Sequence, residues 1–242
     1  MQNKSKIGRL AVFILMVSLA LAACQSPGAA AVSTQATAST PAATVPGPTP
    51  DAQQAQDAII KALLALSSHA NRMDVTTALK GGQTDKSQIE FIPPDRKHIT
   101  GGGAEYIVVG DKVYAKMSDS AGWQQTQISA TTFIGDKPTP ESIGKTIGRP
   151  QFVGADVLDG KPALVYRYVS TTTSGGVQLH DETKLWVSQK DGLPLKIVAD
   201  GDALSVVTDP STGVGKTQAV SAETTTLIHF DPSLKIEAPP LQ

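Results

Sequence analysis

Hydrophobic and polar positions divide this chain into segments of different period. Leu10 to Ala23 is apolar with Ser18 as its one interruption, and Lys4, Lys6 and Arg9 precede it. A run this short does not comfortably cross a ~30 Å hydrocarbon core, so it predicts a secretory signal rather than a permanent span. From Ala52 to about Ala70 the apolar residues Ala55, Ile59, Leu63, Leu66 and Ala70 recur at helical spacing, with Ile60 and Leu64 widening the stripe. Thr49 is the expected cap, Pro50 the first helical residue, and Asp51 a complement to the positive helix end. Such an amphipathic helix must lie on an apolar surface.

Beyond the helix the period becomes two. Met73, Val75, Thr77 and Leu79 alternate with Asp74, Thr76 and Ala78, and Ser87–Ile92 returns after Gly81-Gly82 with Ile89 and Phe91 on the inner face. Lys97–Thr100 leads to Gly101-Gly102-Gly103. Glu105–Val109 and Lys112–Met117 form a hairpin about Gly110-Asp111, and Trp123–Ile128 extends the sheet. Between Asp136 and Pro150 the prolines predict a short helix or a loop. Alternation resumes in Phe152–Val157, Pro162–Ser170, Val177–Ser188 and Leu193–Ala199, with Asp159-Gly160 and Asp191-Gly192 as turns. Gly201–Gly215 is polar and turn-rich and predicts an exposed loop. Gln218–Phe230 is a last strand before an extended tail, Leu234–Pro240. Helix first and hairpins afterwards predict one antiparallel sheet with a helix against it. About ten strands in one sheet curl or close. Tyr106-Ile107-Val108-Val109 and Ala163-Leu164-Val165-Tyr166 are apolar on both faces, which favours a curved sheet with helices across its mouth.

Composition changes the picture at the N-terminus. Leu21-Ala22-Ala23-Cys24 ends the apolar run, and Cys24 is the only cysteine. This resembles the bacterial lipobox, which implies cleavage before Cys24 and its acylation. Residues 1–23 are then the lipoprotein signal, and no thiol remains for a disulfide or a metal site. From Gln25 to Pro50 every residue but Gln25, Val32, Gln35 and Val45 is Ala, Ser, Thr, Pro or Gly, and none is charged. Residues 24–50 therefore read as a disordered tether, which leaves 51–242 as one folded domain. The whole chain has a formal net charge of −1, and the signal removes three basic residues. That balance argues against nucleic acid as a partner and against recruitment by anionic headgroups.

Catalytic and metal chemistry find little support. His69, His98, His180 and His229 form no H-x-x-x-H or H-E-x-x-H spacing and read as exposed or structural. Gly101-Gly102-Gly103 lacks a following Lys-Ser/Thr and a helix, so it reads as a turn. His180-Asp181-Glu182 lies in an alternating run and reads as a solvated edge rather than a catalytic group. No Gly-x-Ser-x-Gly elbow occurs. The expectation is a protein that is not an enzyme and uses no cofactor.

Three stretches carry a resemblance. Gly110-Asp111-Lys112-Val113-Tyr114-Ala115-Lys116 followed by Trp123, Leu185-Trp186-Val187-Ser188 with Gly192-Leu193-Pro194-Leu195-Lys196-Ile197, and Phe230-Asp231-Pro232 to Ile236-Glu237-Ala238-Pro239 occur in that order. In this the chain is similar to the LolA/LolB/LppX-like lipoproteins, nearest in type to the LppX/LprG lipid-binding lipoproteins. The resemblance implies a mainly β fold with some α. A curved antiparallel sheet would form an unclosed half-barrel, its concave face covered by the N-terminal helix and a short helical insert. It also implies a lipid or the acyl chains of a lipoprotein as ligand, at the extracytoplasmic face of the cell membrane (the outer membrane in a diderm). The alternative is a surface or sensory lipoprotein that keeps the fold without carrying lipid. Neither reading names a protein partner.

Strand alternation and the helical stripe nominate the lining: Ile59, Leu63 and Leu66 from the helix, and Val75, Leu79, Ile89, Phe91, Val108, Met117, Leu164 and Tyr166 from the strands. With aromatics at 5% of the chain, such a lining is mainly aliphatic. If Cys24 is the anchor, Cys24→Ser leaves an uncleaved precursor or a shed soluble form. Normal processing and detergent partitioning of that variant would exclude the lipobox.

Overall fold

The computed structural model describes residues 50–80, 82–117, 122–174, 177–208 and 215–241. The expected signal, Cys24 and the expected tether up to residue 49 lie outside the described residues.

Helix α1 runs Ala52–Ser68. Its cap is Asp51 and not Thr49, so Pro50 precedes the cap instead of opening the helix. The reason is Gln54, whose backbone N–H donates to Asp51 Oδ1 at 2.8 Å while its side-chain oxygen accepts from Asp51 N–H at 3.1 Å. This reciprocal box satisfies two of the helix's open donors. Ala55, Ile59, Ala62 and Ala65 form the buried face.

The strands follow as β1 (Asn71–Leu79), β2 (Thr84–Ile92), β3 (Arg96–Gly101), β4 (Ala104–Val109), β5 (Lys112–Lys116) and β6 (Gln124–Gln125). Two helices, α2 (Thr131–Ile134) and α3 (Pro140–Thr146), precede β7 (Ile147–Leu158), β8 (Lys161–Ser174), β9 (Val177–Ser188), β10 (Pro194–Thr208) and β11 (Gly215–Phe230). The described strands make one 11-stranded sheet in the order β6-β5-β4-β3-β2-β1-β11-β10-β9-β8-β7. Every pairing is antiparallel, and the two edge strands do not meet, so the sheet is not closed into a barrel. The chain starts at mid-sheet and meanders outward to β6. It crosses through α2 and α3 to the opposite edge at β7, then meanders back until β11 lies beside β1.

Turn chemistry accounts for the tight hairpins. Leu158 pairs with Lys161 across Asp159 (φ 50°) and Gly160 (φ 75°), a two-residue connection with both residues left-handed. Gly102 and Gly103 do the same between β3 and β4, which is the turn read from the three glycines.

Four segments depart from expectation. Gly201–Gly215 is not a long loop, because Gly201–Thr208 continue β10 and pair with Gly215–Ala222. Leu204-Ser205-Val206-Val207-Thr208 is rich in strand-forming residues, and this outweighs the Asp and Gly around it. Residues 209–214 lie outside the described residues. The strand expected over Trp123–Ile128 shrinks to Gln124–Gln125: Thr126 N–H still donates to the Val113 carbonyl at 2.8 Å, but the Thr126 hydroxyl accepts from Ile128 N–H and the chain turns there. The four-residue helix α2, unforeseen in the sequence, follows. Finally, β7 begins at Ile147, before Pro150, with left-handed Arg149 (φ 52°) and two register shifts, Gly148/Gln151 and Phe152/Gly154. Those shifts mark bulges that carry the strand through Pro150. The tail returns along the sheet: Arg96 Nη1 donates to the Ile236 carbonyl at 2.9 Å, and Leu241 forms a parallel bridge with Trp123.

Two hydrophobic clusters lie beneath the helices. Ala55, Ile59 and Ala62 of α1 pack with Ile147, Tyr166, Tyr168, Leu185, Val187, Ile197 and Ile228, and Ile143 of α3 lies at the margin. Val75, Ile89, Ile99, Tyr106, Val108, Val113 and Ala115 form the second, with Phe133 and Ile134 of α2 against it. Met73 packs against both.

The join between α1 and the sheet rests on Asn71, which is fully buried. Its Nδ2 donates at 2.8 Å to the carbonyls of Leu66 and of His69, tying the last helical turn to the first strand. Asn71→Ala orphans both carbonyls and should lower stability by about 1–3 kcal/mol in denaturant titration. Asn71→Asp removes the donor at similar volume and should also destabilise the fold.

Candidate functional site: the concave face of the sheet

Register fixes which side chains share the face under the helices. Successive rows run across the strands from β1 through β11, β10 and β9 to β8. One is Val75, Thr226, Ile197, Leu185, Tyr166; the next is Thr77, Thr224, Ala199, Thr183, Tyr168; the third is Leu79, Ala222, Gly201, Asp181, Ser170. On the other side of β1, Ile89, Ile99, Tyr106 and Ala115 continue the row of Met73 and Ile228, and Phe91, Lys97, Val108 and Val113 that of Asn71 and Phe230.

The nominated residues separate into two groups. Ile59 and Tyr166 are buried in the α1 cluster, with Leu63, Leu66 and Leu164 half-buried at its margin. Val75, Ile89 and Val108 are buried in the α2 cluster. Leu79 and Phe91 are half-buried. Met117 is 41% exposed just past β5, with its sulfur accepting from the Tyr106 hydroxyl at 3.7 Å. Ring contacts seal both ends: Tyr106 with Phe133 at 5.1 Å between centroids, and Phe152 with Tyr166 at 5.6 Å. Cys24 lies outside the described residues.

The face also carries polar groups that sequence reasoning missed. Asp181 is not on a solvated edge. β9 is an interior strand, and alternation turns Asp181 inward at 2% exposure while His180 and Glu182 face water. Ser170 Oγ donates to Asp181 Oδ2 at 3.1 Å. The signal was present, since Leu179, Asp181, Thr183 and Leu185 share one parity and the two leucines mark it as inward. Tyr168 is buried beside Thr183, and loss of solvent pushes its phenol well above the ordinary tyrosine value. The Thr183 hydroxyl is near enough to ease that shift slightly, but the two oxygens do not reach hydrogen-bond geometry. Burial likewise raises Tyr166. Lys97 is the inward residue between Phe91 and Val108. Its Nζ donates to the Phe133 carbonyl of α2 and lies 5.8 Å from the Phe91 ring centroid. Desolvation lowers its value below that of a free lysine.

The convex face is different. His98, expected to stand alone, lies between two carboxylates delivered by neighbouring strands: Nδ1 is 3.1 Å from Glu90 Oε2 and Nε2 2.9 Å from Glu105 Oε1. Cross-strand register makes this triad, which no linear spacing displays. Among the described residues no three His, Cys, Asp or Glu converge in a way that could hold a metal ion.

With this geometry, solved structures can be compared. Mycobacterium tuberculosis lipoprotein LppX superposes at a TM-score of 0.52 and 14% identity, over 77% of this chain and all of LppX. The fold resembles that of LppX. LprF from Mycobacterium bovis follows at TM-score 0.48 and 12% identity, over 79% of this chain and 99% of that one. A LolA superfamily protein from Nitrosomonas europaea is more distant, at TM-score 0.27 and 13% identity. No protein-family model matches the chain, and no curated protein matches its sequence. The likeness to LppX is thus one of fold, and it agrees with the half-barrel expected from the hairpin motifs.

Lys97 supplies a pH test. A lysine lowered in the folded state binds fewer protons there than in the unfolded chain, so stability rises with pH between its lowered value and about 10.4. Relative to Lys97→Met, the wild type should gain stability as pH rises from neutrality through that window. Parallel denaturation curves for the two proteins at all pH values would contradict this.

Proposed function

We propose that this protein is an extracytoplasmic lipoprotein, anchored to the cell membrane through Cys24, that holds the acyl chains of a lipid or lipoprotein against the concave face of its sheet. Residues 51–242 act as one domain on the tether formed by 24–50. The observation that carries the reading is the pair of apolar clusters on one face of an unclosed sheet, each under its own helix. The helices lie on that face mainly through apolar side chains: Ala55, Ile59, Ala62 and Ala65 from α1, with Leu63 and Leu66 at the margin, and Phe133 and Ile134 from α2. A lid attached in this way can be exchanged for acyl chain, and each CH₂ transferred from water contributes about 0.8 kcal/mol. Similarity in fold to LppX, a lipoprotein, and Leu21-Ala22-Ala23-Cys24 support the same reading.

A second reading, a surface or sensory lipoprotein with a filled interior, is favoured by the complete burial of Ile59 and Val108. Substitution separates the two. If the face receives acyl chains, Val108→Trp or Leu164→Trp should reduce lipid uptake and leave the melting temperature nearly unchanged. In a closed core the same changes should cost about 1–3 kcal/mol. Mass spectrometry of an organic extract of the purified protein, alongside melts of both variants, decides between them. A lipid-free extract, no uptake of added lipid and strongly destabilised variants would overturn the carrier.

A further inference from the structure

The polar rows of the concave face are only partly satisfied within the fold: the Thr77 and Thr224 hydroxyls lie 3.2 Å apart and hydrogen-bond, whereas others on this face do not. The hydroxyls of Tyr168, Thr183 and Thr226 are buried without a hydrogen-bond partner, and all three residues are at most 2% exposed. They occupy adjacent rows on the same side of the sheet. In the next row lies the buried Ser170–Asp181 pair. Buried polar atoms in folded proteins are nearly all paired, and an unpaired one bears the whole loss of hydration. Random packing faults would scatter such atoms over several surfaces. Among the described residues five of six such atoms, Asn71 Oδ1 and Thr172 Oγ1 included, stand at inward strand positions and one, Arg72 Nε, faces the other way; Tyr168 shares a cluster with Ile59 and Ala55 of α1. Valine has almost the shape of threonine and would fill the same strand positions without an orphaned oxygen.

Resting on the carrier reading above, we infer that Tyr168 and Thr183, which are paired across neighbouring strands, and Thr226 two strands away seat the uncharged oxygen-bearing groups of a lipid, its esters or hydroxyls. Threonine and tyrosine hydroxyls can each donate to an ester carbonyl and accept from an alcohol. From β1 to β8 these rows hold no cation, and Asp181 next to them makes the seat unfavourable for a carboxylate or phosphate. Acyl chains would lie toward the apolar rows at Met73, Ile228 and Val187 while the polar group reaches inward. Binding then replaces α1 over the hydroxyls with a partner that satisfies them.

The test uses the full chain in mild detergent with three radiolabelled probes: dioleoylglycerol, oleate and 1-octadecene. The wild type should bind dioleoylglycerol at least about tenfold more tightly than either of the others, a ratio that one or two hydrogen bonds supply. Thr183→Val with Thr226→Val should remove that advantage, leave octadecene binding unchanged and keep or raise the melting temperature of the ligand-free protein. Tyr168→Phe, which deletes one oxygen, gives an independent reading should the valine pair fail to fold. Dioleoylglycerol affinity unaltered in Tyr168→Phe and in the valine pair, with octadecene still bound, overturns the seat and leaves the carrier standing. Oleate bound as tightly as dioleoylglycerol overturns its preference for an uncharged group. Binding of none of the three probes overturns seat and carrier together.

Discussion

The pairing of β1 with β11 is the constraint on which the rest depends. Asn71–Leu79 align with Ala222–Phe230 over nine consecutive residues, joining the first strand to the last. Without that ladder the chain would form two meanders, each with one apolar face and its own helix. With it the two halves share one inward face, and Met73 packs against both clusters. The pairing spans almost the whole domain, so loop-closure entropy opposes it until the hairpins on either side have formed. Local hairpins are thus the units of folding, and the central ladder is the step that makes one sheet of them.

The two faces respond to that geometry in different ways. On the convex side, charges from neighbouring strands reach one another in partial solvent, as in Glu90–His98–Glu105 and Asp74 with His229. Exposed pairs of this kind contribute little to stability. On the concave side an inward cation is conspicuous. Lys97 has a backbone carbonyl of α2 and an aromatic face for neighbours, so its lost hydration is only partly offset. Polar groups on this face therefore weaken the packing of helix on sheet, and apolar rows restore it.

Much of this was legible in residue order. Period-two alternation located nearly every strand because one face of each is buried, and Asp-Gly or Gly-Gly pairs supplied left-handed turns at the hairpin tips. What stayed hidden depends on partners distant in sequence. Gly201–Thr208 looked like a loop because its residues are polar, yet strand structure there comes from backbone pairing to Gly215–Ala222, which side-chain character does not report. The capping role passed from Thr49 to Asp51 because the position of Gln54 selects the box. Asp181 was misread because its neighbours His180 and Glu182 are charged or polar, although Leu179 and Leu185 share its parity. The lining was harder still. Alternation gave the face of Val75, Ile89 and Val108, but only register could show that Lys97 and Tyr168 share it.

The bulged edge strand bears on how copies of this protein meet. β7 ends the sheet with Val153 and Val157 exposed, 55% and 65%, a combination that invites a neighbouring copy to add a strand. Its two register shifts and left-handed Arg149 break the row of free amides and carbonyls into pieces too short to template a partner. At the other end β6 is two residues long, and Leu241 bridges to Trp123 beside it. Wherever copies meet at high local concentration, as the proposed anchor would bring about, these blunted margins keep their meetings from growing into shared sheets.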